Sequence, residues 1–425
     1  MLQSMPRGRR SACLTIAFFA LTAIPFVSCA KDAVSAEAMA ADVPRLMALG
    51  DIPGLSVAVV RGDSLSWSGA FGITDVRTGE PVSTKTVFEA ASLSKTLFSY
   101  VALRLIDRGV IDLDTPLIRY APYPRLARDP RHRQVTARMC LNHTTGLPNW
   151  GTRFADEPGT RFTYSGEGIR FLRKTLEAAT GQTLEDMARQ EAFIPLGMPH
   201  STYLWDDNSP GTLAAGHDAQ GKPQPRRDCP GGSAAASLHT TANDYARFLQ
   251  ACLTGKGLSP ESHATMMETS IQADFSAAPS IARHVGWGLG WGTMDSPEGP
   301  VIWQWGDNGD TMALAIGCPA SGTGLVYFAN SATGLSIAHA LVAEVLPGRP
   351  WCLEALAYQR YDDPTRIRYF EQAAQQAFRA GQLVRASDCL ETLVDLKPDH
   401  PWAATRLQEV RHIQTQRHQT SSGRS

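Results

Sequence analysis

A serine and a lysine three residues apart stand at Ser92-Leu93-Ser94-Lys95. On a helix that spacing is about one turn, so hydroxyl and amine face the same way and can touch. A serine hydroxyl becomes a useful nucleophile only when a neighbouring base draws off its proton, and lysine serves as that base only where burial or a nearby cation lowers its pKa. A helix start also offers free N–H groups that can stabilise the oxyanion of acyl transfer. The spacing alone carries little weight, because Ser28-Cys29-Ala30-Lys31 repeats it near the N-terminus, where catalysis has no place. Setting distinguishes Ser92: Phe88-Glu89-Ala90-Ala91 leads straight into it, and an apolar helical pattern follows (Leu97, Phe98, Val101, Ala102, Leu105, Ile106), with Arg108 and Gly109 as its stop.

Further segments follow in order: Leu141-Asn142-His143-Thr144-Thr145-Gly146-Leu147-Pro148, Pro158-Gly159-Thr160-Arg161-Phe162-Thr163-Tyr164-Ser165-Gly166, Pro195-Leu196-Gly197-Met198 and Gly231-Gly232-Ser233. Gly286-Trp287-Gly288-Leu289-Gly290-Trp291-Gly292 and Trp305-Gly306-Asp307-Asn308-Gly309 complete the set. Together with Ser92 to Lys95, these six segments resemble the class C β-lactamase family in its broad sense, with its penicillin-binding DD-peptidases, serine esterases and D-amino-acid peptidases. The resemblance covers about residues 50 to 345. It implies a β-lactamase/transpeptidase-like fold, with Ser92 as the acylated nucleophile, Lys95 as its partner and Tyr164 as the group relaying the proton to the leaving atom. Tyrosine suits that role only as a phenolate or through Lys95, since its ordinary pKa near ~10 leaves it protonated at neutral pH. The resemblance also implies an oxyanion hole made of the backbone N–H groups of Ser92 and Asp307. It sets Gln304, Trp305, Gly306 and Gly166 against the substrate.

Two departures from the family pattern narrow the activity. Gly166 stands where the family has an asparagine that grips a substrate carbonyl. Gln304 stands where it has a cation for a substrate carboxylate, and a neutral amide forms a weaker hydrogen bond than a charged group. Both weaken the case for β-lactamase or DD-carboxypeptidase activity and leave ester hydrolysis untouched. Glu167, Asp307 and Asp310 lie close to the motifs; they read as solvated charges, with recognition of a substrate amine as the lesser reading. His143 reads as a turn residue rather than a base. The other histidines lack metal-ligand spacing, so neither metal nor cofactor is expected.

The elements that must position these groups make an α+β plan. Leu55–Val60 and Ser64–Phe71 read as a hairpin, and Val301–Trp305, Met312–Ile316 and Leu325–Ala329 as three later strands of one five-stranded, largely antiparallel sheet. Helices flank it, and a helical region between about 110 and 279 stands to one side. Ile337–Leu346 reads as a closing helix. Beyond Pro350 the chain becomes helical, with Gly381, Ala386, Leu390 and Pro398 spaced as in one tetratricopeptide unit; a helical cap is favoured over a repeat array, which needs about three units.

The first thirty residues carry Arg7-Gly8-Arg9-Arg10, a 16-residue apolar run from Ala12 to Val27 and small residues Ser28-Cys29-Ala30. That is the order of a secretory signal, too short to span a bilayer comfortably. Cleavage after Ala30 and lipid attachment at Cys29 both stay open. The expected division is signal 1–30, tether 31–42, main domain 43–350, helical extension 351–418 and polar, disordered tail 419–425. Forty basic against 41 acidic residues give no field for nucleic acid. Six cysteines outside the signal lie far apart; an oxidising compartment would permit disulfides among them, no pairing is deducible, and most read as buried small hydrophobes.

The sequence therefore points to an exported serine hydrolase of esterase or peptidase type, periplasmic or anchored to the envelope through Cys29. Its substrate would be a small ester or amide or a peptide. Weak β-lactamase or DD-peptidase activity is the alternative of the same class. A non-catalytic penicillin-binding-like envelope protein, with its helical extension binding a protein partner, is the alternative of another class.

Overall fold

The computed structural model describes residues 36–422 apart from 207, 210 and 276. The apolar leader and Cys29, with the choice between cleavage and lipidation, lie outside these residues. Helix α1, Ala36–Gly50, corrects the expected tether. Met39, Val43, Leu46 and Met47 recur at three- and four-residue steps, and all four are buried against the sheet.

Strands β1 (Gly54–Arg61) and β2 (Ser64–Gly72) form the expected hairpin. Almost all of β1 is buried, because helices cover both faces of the sheet. Leu55, Val57 and Val59 enter one core, and Ala58 and Val60 the other. Helix α2, Leu93–Asp107, lies in the second of these, and every residue from Leu93 to Leu103 is buried. Each large aliphatic or aromatic side chain so placed contributes about 1.5–3 kcal/mol, so α2 is a fixed platform for what stands at its start. The region between α2 and the later strands supplies short helices and loops, among them α3 (Gly166–Thr180) and α4 (Ala242–Thr254).

The later strands are β3 (Ile271–Gln272), β4 (Val285–Trp287), β5 (Gly292–Met294), β6 (Val301–Asp307), β7 (Met312–Cys318) and β8 (Thr323–Ala329). Among the described residues the sheet has eight antiparallel strands in the order β2-β1-β8-β7-β6-β5-β4-β3. The three beyond the expected five are two or three residues long, too short to leave a periodicity in a glycine- and tryptophan-rich stretch.

Helices α5 (Ala338–Val345) and α6 (Trp351–Leu356) close the face that α1 covers. Cys352, Leu353 and Ala355 enter that core, so packing continues past the boundary expected at 350. Helices α7 (Pro364–Arg379), α8 (Leu383–Leu396) and α9 (Ala403–Ser422) then build a small core of their own, with Ala386 and Leu390 in it. Helix α9 runs through the position where the disordered tail was expected to begin. Among the described residues no helix is long and apolar enough to cross a membrane. All six cysteines there are free, four of them buried.

Candidate active site

Between a short strand at Phe88–Glu89 and α2 the chain reverses sharply. Ala91 takes φ 47°, a left-handed conformation that costs a non-glycine residue on the order of 1–3 kcal/mol, held here by full burial. Ala90 N–H donates to Leu238 O at 2.7 Å, and Ser94 N–H to Ala91 O at 3.0 Å. Ser92 is the N-cap of α2, yet its hydroxyl makes no capping bond. That side chain is left for other contacts, whereas Ser94 Oγ is consumed by Ala91 O and Leu238 N–H.

Lys95 is 1% exposed. Its Nζ lies 3.0 Å from Ser92 Oγ and donates to Ala235 O at 2.8 Å. Burial lowers its pKa from 10.5 to about 7, so neutral amine is abundant near neutral pH. Tyr164 arrives from the loop before α3. Its phenol hydrogen bonds to the Ser92 side chain, accepts from Gln304 Nε2 at 2.9 Å, and its ring centroid lies 4.8 Å from Lys95 Nζ. Burial raises the phenol's pKa against the opposing pull of those hydrogen bonds. At rest the pair is therefore a partly neutral amine and a protonated phenol.

His143 lies beneath this group. Its ring packs on Tyr164 at 4.6 Å and Trp287 at 5.0 Å, and its Nδ1 accepts the Ser165 N–H at 3.2 Å. Burial, then the charge of Lys95, pushes its pKa well below the ordinary value. It is a neutral wedge that holds the Tyr164 backbone and touches no nucleophile.

Strand alternation explains the third segment. Along β6, Trp303 faces the α1 side, whereas Ile302 packs on the α2 side, to which Gln304 and Gly306 also point. Gln304 is fully buried, and its Nε2 reaches Ser92 O (3.3 Å), Tyr164 Oη (2.9 Å) and Trp305 O (2.9 Å), leaving Oε1 with no partner among the described residues. It braces the tyrosine rather than lying open to solvent. A Cβ on Gly306 would stand 2.6 Å from Ala90 O, so only glycine lets β6 pass this close to the turn before Ser92. Asp307 follows directly on that approach. Trp305, half-buried, stacks against Tyr164 at 4.8 Å.

The structure thus brings Ser92, Lys95 and Tyr164 together at the start of α2, flanked by the antiparallel strand β6. The beta-lactamase family model matches residues 39–345. The chain belongs to this family. It is a serine hydrolase of the beta-lactamase type. Among curated relatives it is 27% identical to penicillin-binding protein 4 of Amycolatopsis lactamdurans, over 69% of this chain and 85% of that one. It is also 27% identical to esterase EstB of Burkholderia gladioli, over 57% and 76% respectively. A class C beta-lactamase structure superposes with a TM-score of 0.63 at 21% identity, covering 75% of this chain and 98% of that one.

Other neighbours of this beta-lactamase-family site differ from the sequence reading. Gly166 begins α3 with no side chain to offer, and the space a side chain would need is filled: a Cβ there would lie 2.6 Å from Asn149 O and 2.8 Å from Asn149 Oδ1. Nothing in the type or spacing of Asn149 marks it in the sequence. Glu167 is buried against Tyr123 (2.8 Å) and Arg125 (2.7 Å), and Asp310 pairs with Arg227 at 2.7 Å, so neither is a solvated charge. Asp307 is exposed; its carboxylate accepts from Tyr358 Oη at 2.6 Å and from Gly309 N–H at 2.7 Å. The Ala235 carbonyl that holds Lys95 lies two residues past the Gly231-Gly232-Ser233 segment, and a backbone acceptor leaves no residue-type signal. Beside Asp307 opens a cavity of about 370 Å³, walled by Glu89, Trp150, Trp205, Arg227 and His239 among others.

Proposed function

We propose that this protein hydrolyses esters, and more slowly activated amides, by two-step acyl transfer at Ser92. One observation carries the reading: Ser92 Oγ lies 3.0 Å from the amine of a buried lysine whose pKa is about 7, with the Tyr164 phenol hydrogen-bonded to the same hydroxyl. Neutral Lys95 takes the Ser92 proton as Oγ bonds to the substrate carbonyl carbon. The carbonyl oxygen becomes an oxyanion held by the N–H groups of Ser92 and Asp307. As the bond to the leaving atom breaks, Tyr164 gives that atom a proton and recovers one from the Lys95 ammonium. Water then attacks the acyl-enzyme by the reverse sequence and frees Ser92.

The substrate class follows from the neutral, buried Gln304 and the missing side chain at 166. Neither offers a free cation or amide to a substrate carboxylate, which favours esters over β-lactams and over peptides ending in a free carboxylate. The esterase among the relatives supports this direction. The order of basic, apolar and small residues in the leader supports export, and the mass of the mature N-terminus distinguishes cleavage from lipidation at Cys29.

The test compares wild type with Ser92→Ala on p-nitrophenyl acetate, nitrocefin and a D-alanyl amide, together with labelling by a fluorescent fluorophosphonate. The expected result is label on Ser92 and ester turnover that falls by at least about three orders of magnitude in the variant. Equal turnover by the two proteins removes the proposal.

A further inference from the structure

The wall of the cavity beside Asp307 includes a histidine that no step above uses. His239 is 5% exposed and anchored on both sides by its backbone, which pairs with Glu89 in a two-stranded ladder and exchanges hydrogen bonds with Thr202 at 2.8 and 3.0 Å. Trp205 stacks on its ring at 5.7 Å and 28°. Its Nδ1 lies 2.9 Å from Ser237 O. A carbonyl can only accept, so Nδ1 carries the ring proton and Nε2 is left with a bare lone pair. That Nε2 is buried and has no partner among the described residues. A buried acceptor left unpaired is costly, and a ligand that donates to it recovers the loss.

The charges around the cavity do not invite an anion. Arg227 is occupied by Glu89 at 3.0 Å, Asp310 at 2.7 Å and Asn308 O at 2.5 Å, while Asp228 and Asp307 add two more carboxylates to the wall. The positive charge of Arg226 acts on the His239 ring and opposes its protonation.

The cavity also lies on a definite side of the reaction. Its wall includes Asp307, whose N–H is assigned to the oxyanion, and Ala236, next to the carbonyl that holds Lys95. Tyr164, to which the proposed mechanism assigns the leaving atom, and Gln304, which braces it, are not part of the wall. We infer that this cavity receives the acyl group and selects acyl groups bearing a hydroxyl or N–H that donates to His239 Nε2. The inference rests on the acyl-transfer reading of Ser92. Burial lowers the imidazole pKa to about 4, so the lone pair persists through the working range of an esterase.

The experiment uses p-nitrophenyl esters of 3- and 4-(hydroxymethyl)benzoate against the matching methylbenzoates, and the corresponding benzamides as inhibitors of p-nitrophenyl acetate hydrolysis. The full chain is assayed at pH 7.5. Wild type is expected to favour one hydroxymethyl isomer over its methyl counterpart by about tenfold in kcat/KM or in inhibition constant, the worth of one hydrogen bond. His239→Phe, which keeps the stacked ring and removes the acceptor, is expected to bring that ratio to about one. His239→Gln, which restores an acceptor, is expected to recover part of it. A wild-type ratio near one for both isomers by both measures, or a ratio unchanged in His239→Phe, overturns the inference. Should a variant fail to fold, the wild-type ratios and the other variant decide alone. Ser92→Ala separates the two layers: if it hydrolyses these esters as fast as wild type, the acyl-transfer reading falls and the pocket falls with it. If Ser92 is needed but no donor is preferred, the pocket inference alone is wrong.

Discussion

The pH dependence of acylation tests the least ordinary group in the site. Lys95 is buried with hydrogen bonds to Ser92 Oγ and Ala235 O, and burial moves its pKa from 10.5 to about 7. At pH 7 such a lysine is about half neutral, whereas one with its ordinary pKa would be neutral in about one molecule in 3,000. If neutral Lys95 is the base, kcat/KM should rise with unit slope below pH 7 and level off above pH 8, gaining about ninetyfold between pH 5 and pH 8. Neither His143 beneath the site nor His239 in the cavity wall obscures that limb, since burial drives His143 well below its usual value and His239 to about 4. The assay is the pre-steady-state burst of nitrophenolate from p-nitrophenyl acetate between pH 5 and 9.5, corrected for spontaneous hydrolysis. Lys95→Arg should lower the burst rate by about three orders of magnitude at every pH, because a guanidinium does not deprotonate. A flat profile from pH 5 to 9, or one still climbing with unit slope through pH 9, would refute the assignment of Lys95 as base.

The same burial has a stability consequence of fixed sign. The unfolded chain holds the Lys95 proton up to 10.5 and the folded chain only to about 7, so between those values the folded state binds fewer protons and stability climbs with pH. Below pH 7 the penalty is full; replacing Lys95 by Met removes it but leaves Ala235 O unpaired. Lys95→Met should therefore be inactive yet more stable at pH 6 by a few kcal/mol, on the order of 2, and the gap should shrink towards pH 10. Urea midpoints at pH 6 and 9.5 with unchanged m-values check this, and a less stable variant at pH 6 would contradict it. Gly166→Ala sets a methyl 2.6 Å from the Asn149 carbonyl oxygen, two residues from Tyr164. It should cost about 1–3 kcal/mol and lower kcat more than it raises KM, and a variant with wild-type melting and kcat would show that the loop yields freely.

How far the sequence foretold this site depends on which part of a residue acts. Ser92, Lys95 and Tyr164 are side chains of distinctive type at distinctive spacing, and the structure brings them together. The long strands and α2 were legible because their apolar runs are long enough to show a period. Groups that act through position escaped: the Ala235 carbonyl, the carboxamide of Asn149 pressed on Gly166, and the lone pair of His239. The first two are defined by a neighbour more than ten residues away, and the third by burial around Nε2, none of which a local pattern records. The tether failed for a related reason. A window of small residues hides Met39, whose role appears only when Val43, Leu46 and Met47 are counted with it along α1.

Gln304 gives the proposed mechanism an order of events. A cation at that place would lower the phenol's pKa at all times; a carboxamide supplies hydrogen bonds to Tyr164 but no charge. The cation placed against Tyr164 is then Lys95 itself, 4.8 Å from the ring centroid, and only after it has taken the Ser92 proton. A unit charge at about 5 Å in a medium of effective dielectric ~20 is worth about 3 kcal/mol, enough to lower a phenol's pKa by about two. Tyr164 is therefore a poor acid before attack and a competent one after it, so protonation of the leaving atom waits on formation of the bond to Ser92. Gln304→Lys would uncouple the two steps: it should lower the kinetic pKa of the base below that of wild type, since a second ammonium disfavours charging Lys95, and it should speed release of poor leaving groups relative to nitrophenolate. A kinetic pKa in Gln304→Lys equal to or above that of wild type would mean that residue 304 does not act on Lys95 through charge.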